Sequence, residues 1–155
     1  MQKEKFMEEA INLSIKSVKS GGGPFGAVIV KDGEVIAKAS NSVTITHDPT
    51  AHAEINAIRQ ACSILKTFSL KDCELYTSCE PCPMCLGAVY WAGIKKIYFG
   101  NTRADAKNIY FDDSFIYDQI PLDPKKRTIP SEQLLGDKAI EAFRMWEAKD
   151  DKVRY

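Results

Sequence analysis

Three side chains that bind metals well, His52, Cys82 and Cys85, occur in a chain of 155 residues with only two histidines and five cysteines. Pro83 between the cysteines suits the first turn of a helix, and a spacing of three puts both sulfurs on one helix face, within reach of a single ion. The partial positive charge of a helix start also favours thiolates there. His52, near the start of a preceding helix, can supply a third ligand. Three protein ligands leave a fourth position for water, which is the arrangement of a catalytic zinc site rather than a structural one. Glu54 follows His52 by two residues, a spacing that turns side chains of a regular helix nearly opposite ways, so it is not expected as a ligand. Near the helix end Glu54 could still reach such a water, where a carboxylate can take a proton and deliver it to a substrate. Each residue also has a plainer reading: a helix histidine, a redox dithiol, a solvated carboxylate. In combination those readings lose to the metal site. Cys79 makes a second Cys-x-x-Cys with Cys82 but falls at a strand end and is assigned to packing, as are Cys62 and Cys73.

The elements that must carry these groups follow from periodicity. Residues 2–19 form a helix, with Phe6, Ala10, Leu13 and the staggered Ile11, Ile15 and Val18 on one broad apolar stripe. Gly21-Gly22-Gly23-Pro24 breaks it, and residues 25–30 are a nearly all-apolar run typical of a strand buried on both faces. Lys31-Asp32-Gly33-Glu34 is a hairpin turn, and residues 34–41 return antiparallel with Val35 and Ile36 inside. Asp48-Pro49 signals a helix from about residue 50 to 65. Residues 73–77 are a strand, Cys82-Pro83 opens a helix through Trp91 with Gly93 as its C-cap, and residues 95–99 are the next strand. This alternation predicts a layered α/β domain, with helices on both faces of a sheet that one hairpin makes mixed. Beyond Asn101, Pro121, Pro124 and Pro130 indicate a loop-rich tail, and residues 136–149 have helical character with Ile140, Phe143 and Trp146 near one face.

Lys plus Arg number 21 and Asp plus Glu number 21, so no global charge draws the chain toward nucleic acid or an anionic membrane. Lys125-Lys126-Arg127 is a short, solvated loop rather than a nucleic-acid patch. No apolar run approaches the roughly 20 residues that span a bilayer, and the start has no signal-peptide shape. A cytoplasmic protein acting on a small neutral ligand is expected, without nucleic-acid or membrane partners.

His52-Ala53-Glu54 followed by Pro81-Cys82-Pro83-Met84-Cys85 resembles the zinc signature of the cytidine deaminase-like superfamily. Within it, Pro24-Phe25-Gly26-Ala27, Asp48-Pro49-Thr50-Ala51, Tyr76-Thr77-Ser78-Cys79-Glu80 and the block from Phe111-Asp112-Asp113 to Tyr117, together with Tyr155, are similar to bacterial guanine deaminases. The match is looser after Pro121. The resemblance implies a three-layer α/β/α fold around a central mixed five-stranded sheet in one deaminase domain over residues 1–155. It also implies a Zn2+ cofactor, with hydrolysis of guanine to xanthine and ammonia in purine catabolism or salvage. It assigns proton transfer to Glu54 and a second functional carboxylate to Asp113. It matches the Asn41 amide to a group that hydrogen-bonds the substrate ring. Phe25 and Trp91 are most simply core aromatics, of which Phe25, and after it Trp91, could stack on a flat base. The Ala53 N–H, at a helix start, can hold the substrate's polar edge. The resemblance further implies a homodimer that exchanges a C-terminal segment, about residues 120–155, with Tyr155 closing over the partner's pocket. A tRNA adenosine, cytosine or other nucleobase deaminase is the rival within the superfamily. A non-catalytic, zinc-stabilised interaction module is the rival outside it, and Glu54 with the vacant fourth position argues against it.

Overall fold

Strand β1 (Gly26–Lys31) and strand β2 (Glu34–Ser40) form an antiparallel hairpin. Its two central turn residues, Asp32 and Gly33, have φ of 51° and 79°, the left-handed pair that matches the right-handed twist of the flanking strands. On β1, Ala27 and Ile29 enter one apolar cluster while Val28 and Val30 enter another on the opposite face. The register shifts once, pairing Ile29 with Ala37 and Val30 with Val35. Ile36 is thus the extra residue of a bulge, which lets Ile36 and Ala37 pack against the same cluster. Strand β3 (Cys73–Cys79) lies antiparallel on the other side of β1, and strand β4 (Lys96–Asn101) is parallel to β3, giving the order β2-β1-β3-β4.

Helix α1 (Gln2–Lys19) covers one face through Phe6, Met7, Ala10 and Leu13 against Val28, Val30 and Tyr76. It lies so close that a Cβ on Gly26 would stand 2.3 Å from the Ala10 carbonyl oxygen, so only glycine fits there. Between β2 and the next long helix comes the short α2 (Val43–Thr46). Helix α3 (Ala53–Leu65) covers the other face with Ala53, Ala57 and Ala61, each fully buried and spaced four apart. Helix α4 (Pro83–Ala92) joins β3 to β4 and adds Val89 and Ala92 to the same layer. The result is the three-layer α/β/α arrangement.

The sheet has four strands and not five. All four were legible in the residues, whereas the fifth was implied by resemblance alone. The chain beyond β4 turns into α5 (Arg103–Asn108), fastened by a capping box in which Thr102 Oγ1 accepts from the Asp105 N–H and the Asp105 carboxylate accepts from the Thr102 N–H.

The computed structural model describes residues 1–155, which form two compact units, 1–113 and 114–155. The second contains α6 (Ser114–Gln119), a turn of 3-10 helix at Pro124–Lys126 and α7 (Gly136–Ala148). Arg127 Nε and Nη2 donate to the Gln119 and Ile120 carbonyls and tie its turn together. None of its residues is buried, and Ile129, Leu134, Phe143 and Met145 are all largely exposed. No helix of the chain is long and apolar enough to cross a membrane.

Candidate metal centre and active site

The carboxyl ends of the parallel strands β3 and β4 open on the side of the sheet where β1 begins and β2 ends. The starts of α3 and α4 bring their residues to this edge, the usual location of ligand sites in open α/β sheets. Asp48 was expected to cap a helix starting near residue 50. Its carboxylate instead accepts from the N–H (2.8 Å) and hydroxyl (2.6 Å) of Thr50 within a turn, and α3 begins only at Ala53. The delay matters. His52 becomes the N-cap residue, with extended φ and ψ of −69° and 155°, so helical periodicity does not constrain it against Glu54. His52 and Glu54 both converge on the two cysteines despite their spacing of two.

Cys82 is likewise the N-cap of α4, with Pro83 in the first turn and Gly93 in the left-handed conformation at the end. His52 Nδ1 lies 3.5 Å from Cys82 Sγ and 3.5 Å from Cys85 Sγ, and the three donor atoms all fall within 4.8 Å of one another. A tetrahedral ion with Zn–S of about 2.3 Å and Zn–N of about 2.0–2.1 Å requires N···S edges of about 3.6 Å. The donor set and its spacing therefore fit zinc without rearrangement. His52 and Cys82 are half-buried while Cys85 is buried, so the group is partly accessible to solvent.

Electrostatics in the cluster express competition between two sulfurs. The Cys82 thiol is pulled down to about 4, chiefly by the hydrogen bond from the Cys85 thiol and further by His52. Cys85 is pushed up by donating that bond and by burial beside Glu54, and His52 is raised by its bond to Cys82.

Glu54 is 5% exposed, and burial raises its carboxyl above the usual range. Its Oε1 lies 3.0 Å from Thr77 Oγ1, and its Oε2 lies 3.5 Å from Cys85 Sγ. Thr77 reaches it because β3 alternates: Tyr76 faces α1, while Leu75 and Thr77 face the α3 layer. The same alternation turns Cys79 toward that layer, where burial and the carboxylates of Glu54, Asp113 and Glu80 push its thiol up to about 11. Cys79 lies outside the three-donor group, in keeping with a packing role.

Phe25 and Asn41 sit at the open end of the hairpin, where the Asn41 N–H donates to the Phe25 carbonyl at 3.1 Å. Asn41 Oδ1 accepts from the Val43 N–H at 3.1 Å, which leaves its Nδ2 as the group able to meet a ligand. The Phe25 ring meets Phe111 edge to face at 5.0 Å. Asp113, two residues on, pairs with Arg103 Nε at 3.2 Å, and the Arg103 N–H donates to Glu80 Oε2 at 3.1 Å. Ala53 opens α3 beside His52. Trp91 is not brought to the cluster: it stands six residues past Cys85, near the far end of α4 and roughly 9 Å along the axis at 1.5 Å per residue. Tyr155 ends the second unit and is exposed.

Thr77, Arg103 and Phe111 were not singled out from sequence. A threonine inside the buried run Leu75-Tyr76-Thr77 was the available signal, since a buried hydroxyl needs a partner. Phe111 entered only as the first residue of the block resembling guanine deaminases, and Arg103 gave no signal, because its partner Asp113 is reached only through the turn after α5.

Residues 1–101 match the cytidine and deoxycytidylate deaminase zinc-binding region, and the chain belongs to that family. Over its whole length it is 49% identical to guanine deaminase of Bacillus subtilis, covering 100% of both chains. The X-ray structure of guanine deaminase from Bacillus subtilis superposes with a TM-score of 0.95 at 50% identity, covering 98% of each chain. Identity to the tRNA-specific adenosine deaminase of Aquifex aeolicus is 48% over 99 residues, 64% of this chain and 66% of that one. A solved relative in complex with 8-azaguanine matches with a TM-score of 0.68 at 35% identity, covering 70% of this chain and 63% of that one.

Proposed function

We propose that the protein is a zinc-dependent guanine deaminase that hydrolyses guanine to xanthine and ammonia in purine catabolism or salvage. The observation that carries the chemistry is the His52, Cys82 and Cys85 group with the buried Glu54 carboxyl against it. The full-length likeness to guanine deaminase supports the substrate.

His52, Cys82 and Cys85 are the residues that hold zinc, which when bound supplies an acidified water for addition at the ring carbon bearing the amino group, C2 of guanine. Glu54, anchored at Oε1 by Thr77, uses Oε2 to accept the attacking water's proton and to hand it to the ring nitrogen beside C2. The proton of the hydroxyl added at C2 then moves to the amino group, the C2–N bond breaks and the C2 carbonyl forms, so guanine and water become xanthine and ammonia. Asp113, oriented by Arg103, contacts the amino group or a ring N–H and assists that departure. Asn41 donates from Nδ2 to a ring acceptor, the Phe25 ring stacks on the flat base, and the N–H of Ala53 at the start of α3 holds its polar edge. Trp91, near the far end of α4, is left out of the substrate contacts.

A homodimer that exchanges its C-terminal segment, with Tyr155 entering the partner's site, is part of the same reading. The support is physical: residues 114–155 bury no side chain of their own while exposing Ile129, Leu134 and Phe143. A cytoplasmic enzyme acting on a free base needs neither nucleic acid nor membrane, and the formal charge of zero suits that.

The test is a panel of guanine, adenine, cytosine, cytidine, adenosine and a tRNA anticodon stem-loop, followed by release of ammonia. Turnover of guanine to xanthine is expected. Turnover of the stem-loop adenosine with guanine untouched would replace this reading with that of a tRNA deaminase, which the likeness to the Aquifex aeolicus enzyme makes the second choice.

A further inference from the structure

Asn56 has no part in the mechanism above, yet one atom of it joins the two segments that the mechanism depends on. It lies on α3, half-buried, and its Nδ2 donates to the Ser40 carbonyl (3.0 Å), Ser42 Oγ (3.0 Å) and the Ala51 carbonyl (3.3 Å). Three acceptors share two N–H hydrogens. Ser40 and Ser42 are the residues on either side of Asn41, and Ala51 is the residue before His52. The Asn56 backbone N–H also donates to the His52 carbonyl at 2.9 Å, and the Ser42 N–H donates to the Ala51 carbonyl at 2.9 Å.

The Asn41 side chain is confined from the other directions as well. Its Oδ1 is held by the Val43 N–H. On the opposite side runs the Gly22-Gly23 segment, where a Cβ on Gly23 would stand 3.1 Å from Asn41 Cγ. Nothing in the covalent chain fixes Asn41 relative to His52, because ten residues including α2 intervene. The side chain of Asn56 does so directly. We propose that Asn56 is a positioning residue that sets the distance and angle between the Asn41 amide and the His52 end of the metal group, and so governs how tightly the substrate is held. Removing its donors leaves the metal ligands and Glu54 chemically intact but lets the 40–42 segment drift. The cost falls on substrate binding more than on the chemical step.

This inference rests on the proposed reading of Asn41 as a substrate contact, and the experiment separates the two. Asn56→Asp keeps the shape but turns every donor into an acceptor, and Asn56→Ser is a milder variant should the first fold poorly. With zinc stoichiometry confirmed, both should raise KM for guanine about tenfold, the worth of one hydrogen bond, while kcat stays within threefold. The same substitutions in an Asn41→Ala background should change KM by less than twofold, since the group they position is gone. KM and kcat unchanged alongside a lowered Tm would overturn the inference, reducing Asn56 to a structural bond. So would effects of Asn41→Ala and Asn56→Asp that simply multiply. A wild-type protein that leaves guanine unchanged, or an Asn41→Ala variant with unaltered KM, would overturn the underlying reading and this inference with it.

Discussion

Replacing Thr77 with valine removes one hydroxyl from a wholly buried site and changes almost nothing in shape. That oxygen lies 3.0 Å from Glu54 Oε1 and 3.1 Å from the Cys79 carbonyl, and its single proton serves one of them at a time, so the substitution withdraws the one donor that the Glu54 carboxyl and the backbone oxygen share. A hydrogen bond to a carboxylate contributes about 1.5–3 kcal/mol, and leaving a buried group unpaired costs about 1–3 kcal/mol. A loss near 2 kcal/mol for this 155-residue chain lowers Tm by about 4–8 °C. The catalytic effect is separate. Without Thr77, Oε1 is free to rotate and Oε2 no longer has a fixed direction, so about 1.4 kcal/mol of the transition-state advantage is lost, or tenfold in kcat. Zinc content and KM should hold, because none of His52, Cys82, Cys85, Asn41 or Phe25 is touched. The assay is steady-state conversion of guanine to xanthine on protein of measured zinc stoichiometry, with a melting curve alongside. A kcat within twofold of wild type together with the expected fall in Tm would refute the claim that Thr77 aims the carboxyl.

Glu54→Gln should keep full zinc and lose about 10²- to 10⁴-fold in kcat, the range for a general acid–base; activity within tenfold of wild type would remove Glu54 from the proton path. Cys85→Ser should fail to retain zinc on gel filtration, with activity lost in parallel, and removal of zinc from the wild type by a chelator should be reversed by zinc alone. Arg103→Gln should free Asp113 and lower kcat/KM for guanine about tenfold with zinc unchanged, and Asp113→Asn should fall in the same direction. Thr102→Ala, which breaks the capping box of α5, should lower Tm by about 2–4 °C without altering KM. The Asp105 carboxyl of that box is held below its ordinary value by the N–H and hydroxyl of Thr102. Its stabilisation is present at neutral pH and is lost as pH falls through that lowered value, so the Tm difference between Thr102→Ala and wild type should shrink in strong acid.

The local features of this protein are written in short stretches of chain. Apolar periodicity located α1 over residues 2–19, turn residues located the hairpin at Asp32-Gly33, and a proline start with a glycine end located α4 between Cys82 and Gly93, because each depends on neighbours within a turn or a strand length. The metal-binding residue types were legible for the same reason: a histidine and a spaced cysteine pair, each beside a helix start, need no knowledge of the rest of the fold to be recognised.

Tertiary structure decided everything that depends on which strand lies beside which. Spacing in a regular helix turns His52 and Glu54 apart, the helix end leaves Glu54 a way back, and the late start of α3, with His52 extended as its N-cap, is what lets both meet Cys85. Thr77 acquired its part because the register of β3 turns it toward α3, and Asn56 because α3 packs where two loops pass. Arg103 met Asp113 only through the turn after α5. Donor chemistry belongs to residue types and can be read in one dimension. Distances between donors are set by packing, and packing brings together residues that the sequence keeps far apart.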